Sequence, residues 1–110
     1  MSGFVLHPGA YTDLAEIWEF IAADSIDAAD NVCEEIYGKI ERLIPFPNQG
    51  HRREDLTSRE IRFHPCGEYL IAYAPAEKPL LVLAILHGSR SPRMMAAVLR
   101  ERAREPRAAG

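Results

Sequence analysis

The 110-residue sequence predicts an α+β fold, with a small, mainly antiparallel sheet packed against a helical hairpin and a C-terminal helix. Three observations predict it. The apolar period changes from strand to helix at Ala10, three strand-like segments follow residue 60, and Ser91-Pro92 is a typical helix start. The expected element order is β-α-α-β-β-β-α. With 47% hydrophobic residues the chain can bury one core, so we expect one domain over residues 1–105 and a frayed tail at 106–110.

The first 44 residues contain a short strand candidate and two amphipathic helices. Residues 3–7 form the strand candidate, and Pro8 fits only the first turn of the helix that follows. Ser25 can cap a second helix, which ends before Pro45. The apolar residues of the first helix recur at helical spacing: Leu14, Ile17, Trp18 and Ile21. Two such helices joined by a few residues form an antiparallel hairpin, and their apolar faces need another layer to cover them.

The rest of the chain begins with its longest irregular stretch, residues 45–60, whose arginines and polar residues are typical of a functional surface loop. Three strand candidates follow, separated by turn-forming residues. They are residues 61–65, 68–74 and 80–87. The last is almost continuously apolar, which predicts a central strand buried on both faces. A final helix, capped by Ser91, is expected to continue to Pro106.

Charge is distributed unevenly along the chain. The net charge is −3, but residues 1–38 carry eight carboxylates and no Lys or Arg, whereas residues 51–110 carry a charge of +4. An anionic partner should therefore meet the second half of the chain. Of the basic residues, Arg predominates, which suits bidentate contacts with carboxylates or phosphates.

Sequence features argue against a membrane, a disulfide framework and a cofactor. The longest apolar run, residues 80–86, is far shorter than the roughly 20 residues that a membrane helix needs. The first residues lack the basic start and apolar stretch of a signal peptide, so we expect a cytoplasmic protein. Cys33 and Cys66 are expected to be reduced thiols. No cofactor is predicted, and no metal site is expected at His64 and Cys66.

Four segments, in order, carry a family resemblance. They are residues 10–29, with AYTDL and IWEFIA, residues 46–56, with FPNQG and REDL, RFHPCGEYLIAY at 62–73, and VLAILHGSR at 82–90. Together they resemble the RelE/ParE toxin superfamily of bacterial type II toxin–antitoxin systems, most closely the ParE-type toxins. The family fold that this implies agrees with the element order predicted above.

The resemblance implies one of two activities. RelE-type toxins cleave messenger RNA in the ribosomal A site, whereas ParE-type toxins cleave nothing and inhibit DNA gyrase. RNA cleavage needs a base and cationic groups around the scissile phosphate. Lys39 falls in the helical hairpin, Lys78 falls in a turn, and no Tyr follows Tyr73. We therefore favour a ParE-type, non-enzymatic toxin that acts on DNA gyrase and is neutralised by a cognate antitoxin.

Two alternatives remain open. A RelE-type endoribonuclease would have to use Arg62, His87 and Arg90. A non-toxic module would bind the antitoxin as a co-repressor and meet operator DNA only through it. Ser89 next to His87 suggests a nucleophile, but no carboxylate stands at a spacing that would orient the histidine. We therefore expect His87 to brace a turn.

The resemblance also implies a surface for the antitoxin, whose partly disordered C-terminal segment is expected to wrap around the toxin. The acidic hairpin should favour basic antitoxin residues, and the Arg-rich half should favour acidic ones. The residues expected at this target- or antitoxin-binding surface are Trp18, Ile21, Arg53, Arg62, Arg90, Met95 and Leu99.

Overall fold

The fold is a five-stranded mixed sheet with helices on both faces. The computed structural model describes residues 3–104, so the predicted tail at 106–110 and the predicted helix end at Pro106 lie outside the described residues. The strands are Phe4–Leu6 (β1), His51–Arg52 (β2), Arg62–Cys66 (β3), Tyr69–Ala74 (β4) and Leu80–His87 (β5). The helices are Pro8–Ala22 (α1), Ile26–Leu43 (α2) and Pro92–Arg104 (α3). The predicted fold class and element order are confirmed, and β2 adds a strand that the sequence did not predict.

The sheet has the order β1-β5-β4-β3-β2, which places β5 between the first and fourth strands of the chain. β1 runs parallel to β5 and pairs only with its first three residues, Leu80 to Val82, while all the other pairings are antiparallel. The chain leaves the sheet at His7, whose N–H donates to the carbonyl of Val82 at 2.8 Å. Pro8 then begins α1, as predicted.

Local sequence signals account for the helix and turn boundaries. The Ser25 hydroxyl accepts a hydrogen bond from the N–H of Ala28 at 3.1 Å, which confirms it as the cap of α2. Ser91 does the same for α3 by accepting from the N–H of Met94 at 3.2 Å. Between β3 and β4, Gly67 has a φ of +59°, a conformation that L side chains rarely adopt.

Two apolar cores lie on opposite faces of the sheet, and β5 contributes to both, which confirms its predicted double burial. Val82 and Ile85 face the α1–α2 hairpin, where Ile36 and Ile40 of α2 are fully buried. Leu83 and Leu86 lie in the second core, which α3 covers with side chains that include Met95 and Leu99. Each helical layer therefore depends on the same central strand. No helix within residues 3–104 has the length and apolarity needed to cross a bilayer.

The 45–60 stretch is more ordered than its composition predicts. It contains a 3₁₀ turn at Pro47–Gln49 and the short strand β2. The buried Tyr73 hydroxyl holds this stretch to the sheet, since it donates to the carbonyl of Pro47 at 2.6 Å and accepts from the N–H of Gly50 at 2.9 Å. A Cβ at Gly50 would lie 2.6 Å from that hydroxyl, so only glycine fits there without a shift.

Candidate partner-binding groove

An apolar groove runs along the side of α1, at the end of the sheet where β5 finishes. It consists of two adjoining cavities of about 450 and 250 Å³, and both are lined by Phe20, Tyr69 and His87. The larger cavity extends between α1, α2 and the β3–β4 turn, and the smaller one extends between α1 and the last residues of β5. The Phe20 side chain is 81% exposed at the centre of what we call the Phe20 groove. A large exposed apolar side chain beside a concave surface is typical of a protein-binding site.

The rim of the Phe20 groove is mainly acidic. Glu35 and Glu68 line the larger cavity, and Asp13 and Glu16 line the smaller one. Among the described residues that line either cavity, Arg90 is the only Arg or Lys. The groove therefore combines an apolar floor with a negative potential, which favours a basic, amphipathic partner.

One end of the groove is bounded by an ion pair that joins α1 to α3. Arg102 donates from Nη1 to Asp13 Oδ2 at 2.6 Å and from Nη2 to Asp13 Oδ1 at 3.0 Å, and the two side chains are only 17% and 14% exposed. The same two side chains bind the main chain of β5 beyond the end of β1. Asp13 Oδ2 accepts from the N–H of Ile85 at 2.9 Å, and Arg102 Nη1 donates to the carbonyl of Leu83 at 3.0 Å.

Neither Asp13 nor Arg102 was predicted from the sequence as a site residue. Arg102 continues the apolar stripe of α3 three residues after Leu99, and a charge on an otherwise buried stripe was the available signal. Gly9 is part of the same arrangement, because a Cβ there would lie 2.4 Å from Arg102 Nε. The absence of a side chain at Gly9 lets the guanidinium pass α1.

Where the two cavities adjoin, three side chains form a hydrogen-bonded chain. His87 Nδ1 accepts from the N–H of Ser89 at 3.1 Å and lies 2.7 Å from the Ser89 hydroxyl oxygen. Because Nδ1 accepts a main-chain N–H, the ring proton sits on Nε2, which donates to Glu68 Oε1 at 3.1 Å. The expectation that no carboxylate orients His87 is therefore wrong. Antiparallel pairing of Tyr69 with His87 brings the neighbouring Glu68 into reach, a relation that sequence spacing alone does not reveal.

This chain of three side chains braces a turn, as the sequence predicted for His87. The side chains of His87 and Glu68 are 41% and 80% exposed, so water competes for their hydrogen bonds. His87 Nδ1 already accepts the hydrogen bond from the N–H of Ser89, and the imidazole ring packs edge-on against the ring of Tyr69, with 5.3 Å between the ring centroids. These features fix the connection from β5 to α3, and they place the three side chains on an exposed surface turn, where water competes with any proton transfer between them.

Comparison with known proteins identifies the family. The family model for the ParE toxin of the type II toxin–antitoxin system, parDE, matches residues 4–92. The chain belongs to the ParE toxin family. Its fold is also similar to a solved chain from the chromosomal ParDE toxin–antitoxin system of P. aeruginosa, with a TM-score of 0.64 and 18% sequence identity. That match covers 79% of this chain and 96% of the solved one. A search of curated proteins finds no match.

The structure of this ParE-family toxin separates the residues that RNA cleavage would require. Arg62 pairs with Tyr73 at one end of β4, and His87 pairs with Tyr69 at the other, about 13 Å along the strand. The Arg62 side chain is also held in place by a hydrogen bond, because its Nη1 donates to the carbonyl of Gly50 at 2.7 Å. Arg90 is exposed in the turn after β5. Arg62 and His87 therefore do not share a site.

The residues predicted to contact a partner are distributed over several places in the toxin. Ile21 and Arg90 line the Phe20 groove. Trp18 is half-buried at the seam of the hairpin and donates from Nε1 to Asp30 Oδ1 at 2.8 Å. Met95 and Leu99, at 3% and 0% exposure, lie between α3 and the sheet and are not on the surface that the interface hypothesis requires. A helix on this side of a sheet buries its apolar stripe, and these two residues form that stripe.

Arg53 is engaged with a neighbour in its own loop. It donates from Nε and Nη2 to the two carboxylate oxygens of Asp55 at 3.0 and 2.8 Å. These hydrogen bonds hold the pKa of the Asp55 carboxyl below its usual value. A partner carboxylate would have to compete with Asp55 for the guanidinium.

Both cysteines are free thiols, and neither is activated. Burial, followed by the nearby charge of Asp30, raises the pKa of the Cys33 thiol. Burial, followed by the nearby charge of Glu35, raises the pKa of the Cys66 thiol. A raised pKa reduces the thiolate fraction at neutral pH and with it the nucleophilicity. Within residues 3–104, no three His, Cys, Asp or Glu side chains are grouped so that they could hold a metal ion.

Proposed function

We propose that this toxin inhibits DNA gyrase by protein–protein contact, without catalysing a reaction, and that a cognate antitoxin neutralises it in the cytoplasm. The observation that carries the proposal is the match of the ParE toxin family over residues 4–92. It includes both helices of the hairpin and all five strands, so the likeness is not limited to one motif.

The arrangement of polar side chains supports a non-enzymatic action. Cleavage of RNA by attack of the 2′-hydroxyl on the adjacent phosphate needs a base at that hydroxyl and a cation at the phosphate, a few ångströms apart. Arg62 and His87 lie at opposite ends of the sheet, and His87 is held between Glu68 and the Ser89 turn. This separation argues against the RelE-type alternative.

We propose that the antitoxin occupies the Phe20 groove, where Ile21 lines the larger cavity. Trp18, at the seam of the hairpin, lines neither cavity. The acidic rim favours Lys and Arg on the antitoxin segment, whereas Arg90 favours a carboxylate. Arg53 and Arg62 make smaller contributions in this proposal, because Arg53 is paired with Asp55 and Arg62 donates to the main-chain carbonyl of Gly50. Operator DNA is met only through the antitoxin.

The test compares gyrase with the ribosome as target. Purified toxin is added to DNA gyrase and relaxed plasmid, with and without the product of the reading frame next to the toxin gene. We expect loss of supercoiling, accumulation of cleaved DNA complexes, and restoration of supercoiling by the antitoxin. Parallel translation reactions with programmed ribosomes should show no new cuts in the message.

Two results would contradict the proposal. Cuts in A-site codons that disappear in His87→Ala would establish the RelE-type alternative. Tight antitoxin binding and operator repression, without any effect on gyrase or translation, would establish the co-repressor alternative.

A further inference from the structure

The solvent-facing side of α3 carries a row of arginines. Arg93, Ala97 and Arg100 are four and three residues apart, so they share one face of the helix, and all three are exposed. Arg90, in the turn just before α3, is exposed as well. At a rise of 1.5 Å per residue, Arg93 and Arg100 lie about 10.5 Å apart along the helix. We call Arg90, Arg93 and Arg100 the α3 ridge.

The side chains of the α3 ridge are not engaged within the protein. Within residues 3–104, none of the three guanidinium groups forms an ion pair or donates a hydrogen bond. Four other arginines differ, because each binds a carboxylate or a main-chain carbonyl: Arg52, Arg53, Arg62 and Arg102. An unengaged guanidinium keeps its five N–H donors for an anion from outside.

The two faces of the molecule carry opposite charge. Residues 8–43, which contain both helices of the hairpin, have nine carboxylates and two basic side chains. Residues 88–104, which contain α3, have five Arg and one Glu. The hairpin and α3 cover opposite faces of the sheet. A polyanion therefore attracts the α3 face and repels the hairpin face, which orients the toxin despite its net charge of −3.

The composition of the α3 ridge fits phosphate groups better than an acidic protein surface. Protein interfaces depend on a few large, desolvated side chains at their centre, whereas contacts to a nucleic-acid backbone need only charge and donors. Among the described residues of α3, Met94 is the one large apolar side chain that is exposed, and it is turned about 100° from Arg93. The small Ala97 between two arginines leaves room for a phosphate backbone to approach the helix.

We propose that the α3 ridge binds the phosphate backbone of duplex DNA, and that it does so on the DNA that gyrase holds. The inference rests on the proposed function for the source of the DNA, and it adds a second contact to the protein–protein one. The ridge consists of Arg alone, aimed at phosphates, so it does not select a sequence. The choice of operator stays with the antitoxin.

The DNA contact is tested with purified full-length toxin and fluorescein-labelled duplexes of two unrelated sequences. Fluorescence anisotropy gives the binding constant at a series of NaCl concentrations. Three phosphate contacts predict that its logarithm falls with the logarithm of the salt concentration with a slope of about −2.7, a loss of about 500-fold for tenfold more salt. The two duplexes should bind with affinities within about twofold of each other, because phosphates carry no sequence information.

A pair of double variants locates the contact. Arg93→Gln with Arg100→Gln should reduce the slope to about −0.9. Arg52→Gln with Arg53→Gln removes the same charge from arginines that are already paired, and should leave the slope within about 0.3 of that of the unaltered toxin. Arg90 is left unchanged because it also lines the Phe20 groove. Circular dichroism checks that both double variants are folded.

The same proteins are compared on gyrase. With relaxed plasmid, the ridge variant should need about tenfold more protein than the unaltered toxin for half-maximal accumulation of cleaved DNA complexes, and the control variant less than about twofold more. Titration calorimetry on gyrase without DNA should give affinities within about twofold for all three proteins, because the protein–protein contact is unchanged.

The outcomes separate this inference from the proposed function. If the toxin traps gyrase on cleaved DNA but the two double variants act alike, the ridge inference is wrong and the proposed function stands. If the toxin binds DNA with the expected slope but leaves gyrase unaffected, the proposed function is wrong and the ridge still binds DNA. If the ridge variant loses affinity for gyrase in the absence of DNA, the ridge contacts an acidic protein surface and the DNA assignment is wrong.

Discussion

Replacing Arg102 by Met should destabilise the toxin strongly, although the residue is on the last helix and remote from the hairpin core. The methionine keeps the apolar stem of the side chain, and it removes the two hydrogen bonds to Asp13 and the one to the carbonyl of Leu83. It leaves the Asp13 carboxylate, only 14% exposed, with the N–H of Ile85 as its remaining described hydrogen-bond partner.

The size of the effect follows from this burial. Removing one partner of a buried ion pair costs about 3–5 kcal/mol, because the other charge stays out of water. Both side chains keep some exposure, at 17% and 14%, so the lower end of that range applies. A loss of about 3 kcal/mol in a domain of this size lowers the melting temperature by about 13 °C.

Urea denaturation followed by circular dichroism measures the free energy of unfolding for a set of matched variants. Arg100→Met is the control: it lies two residues earlier in α3, it is exposed, and it should change the free energy by less than about 0.5 kcal/mol. Asp13→Asn keeps an acceptor for Ile85 and removes the charge. Combined with Arg102→Met it should therefore cost at least about 1.5 kcal/mol less than the sum of the single variants. A cost below about 1 kcal/mol for Arg102→Met, or strictly additive effects, would refute the account of the ion pair.

Three further predictions can be checked with the same protein. Tyr73→Phe should lower the free energy of unfolding by about 2–3 kcal/mol, because it leaves the N–H of Gly50 and the carbonyl of Pro47 unsatisfied. The control, Tyr69→Phe, should cost less than about 1 kcal/mol. Equal losses for the two variants in urea denaturation would contradict this prediction. Cys33 and Cys66 should react with iodoacetamide more slowly than free cysteine at pH 8, because their raised pKa values keep the thiols protonated. Labelling as fast as that of free cysteine in a thiol titration would contradict this prediction. The thiols of the unfolded chain lose their protons at a lower pH than the buried thiols of the folded chain, so folding stability should fall as the pH rises above 9.0, the ordinary thiol pKa. In a variant with both cysteines replaced by Ala, stability should depend less steeply on pH in this range.

Features with local causes were predictable from sequence, and features that join distant residues were not. Pro8, Ser25 and Ser91 mark helix starts because their effects act within one helical turn, and all three helices begin where these residues predict. The continuous apolar run of β5 likewise predicts burial on both faces. β2 has only two residues and no periodicity, and its position depends on pairing with β3.

The candidate site shows the same division. Ile21 and Arg90 were selected for residue type and charge, and both line the Phe20 groove. The ion pair that bounds the groove joins residues 89 positions apart, and Glu68 reaches His87 only through the β4–β5 register. Met95 and Leu99 have the composition of either a core or an interface. Only the placement of α3 on the sheet distinguishes the two.

The pairing of the first strand with the last has a consequence for biosynthesis. Phe4 leaves the ribosome early, but its partner in the sheet, Leu80, is made 76 residues later. β1 therefore has no strand to join while the hairpin and the following three strands are being made, and a chain that stops before β5 has neither the central strand nor both cores. Non-local pairing of this kind slows folding, because a long loop must be closed first. The groove and the surface available to a target form only once β5 has been made, so products that terminate before β5 should be inert.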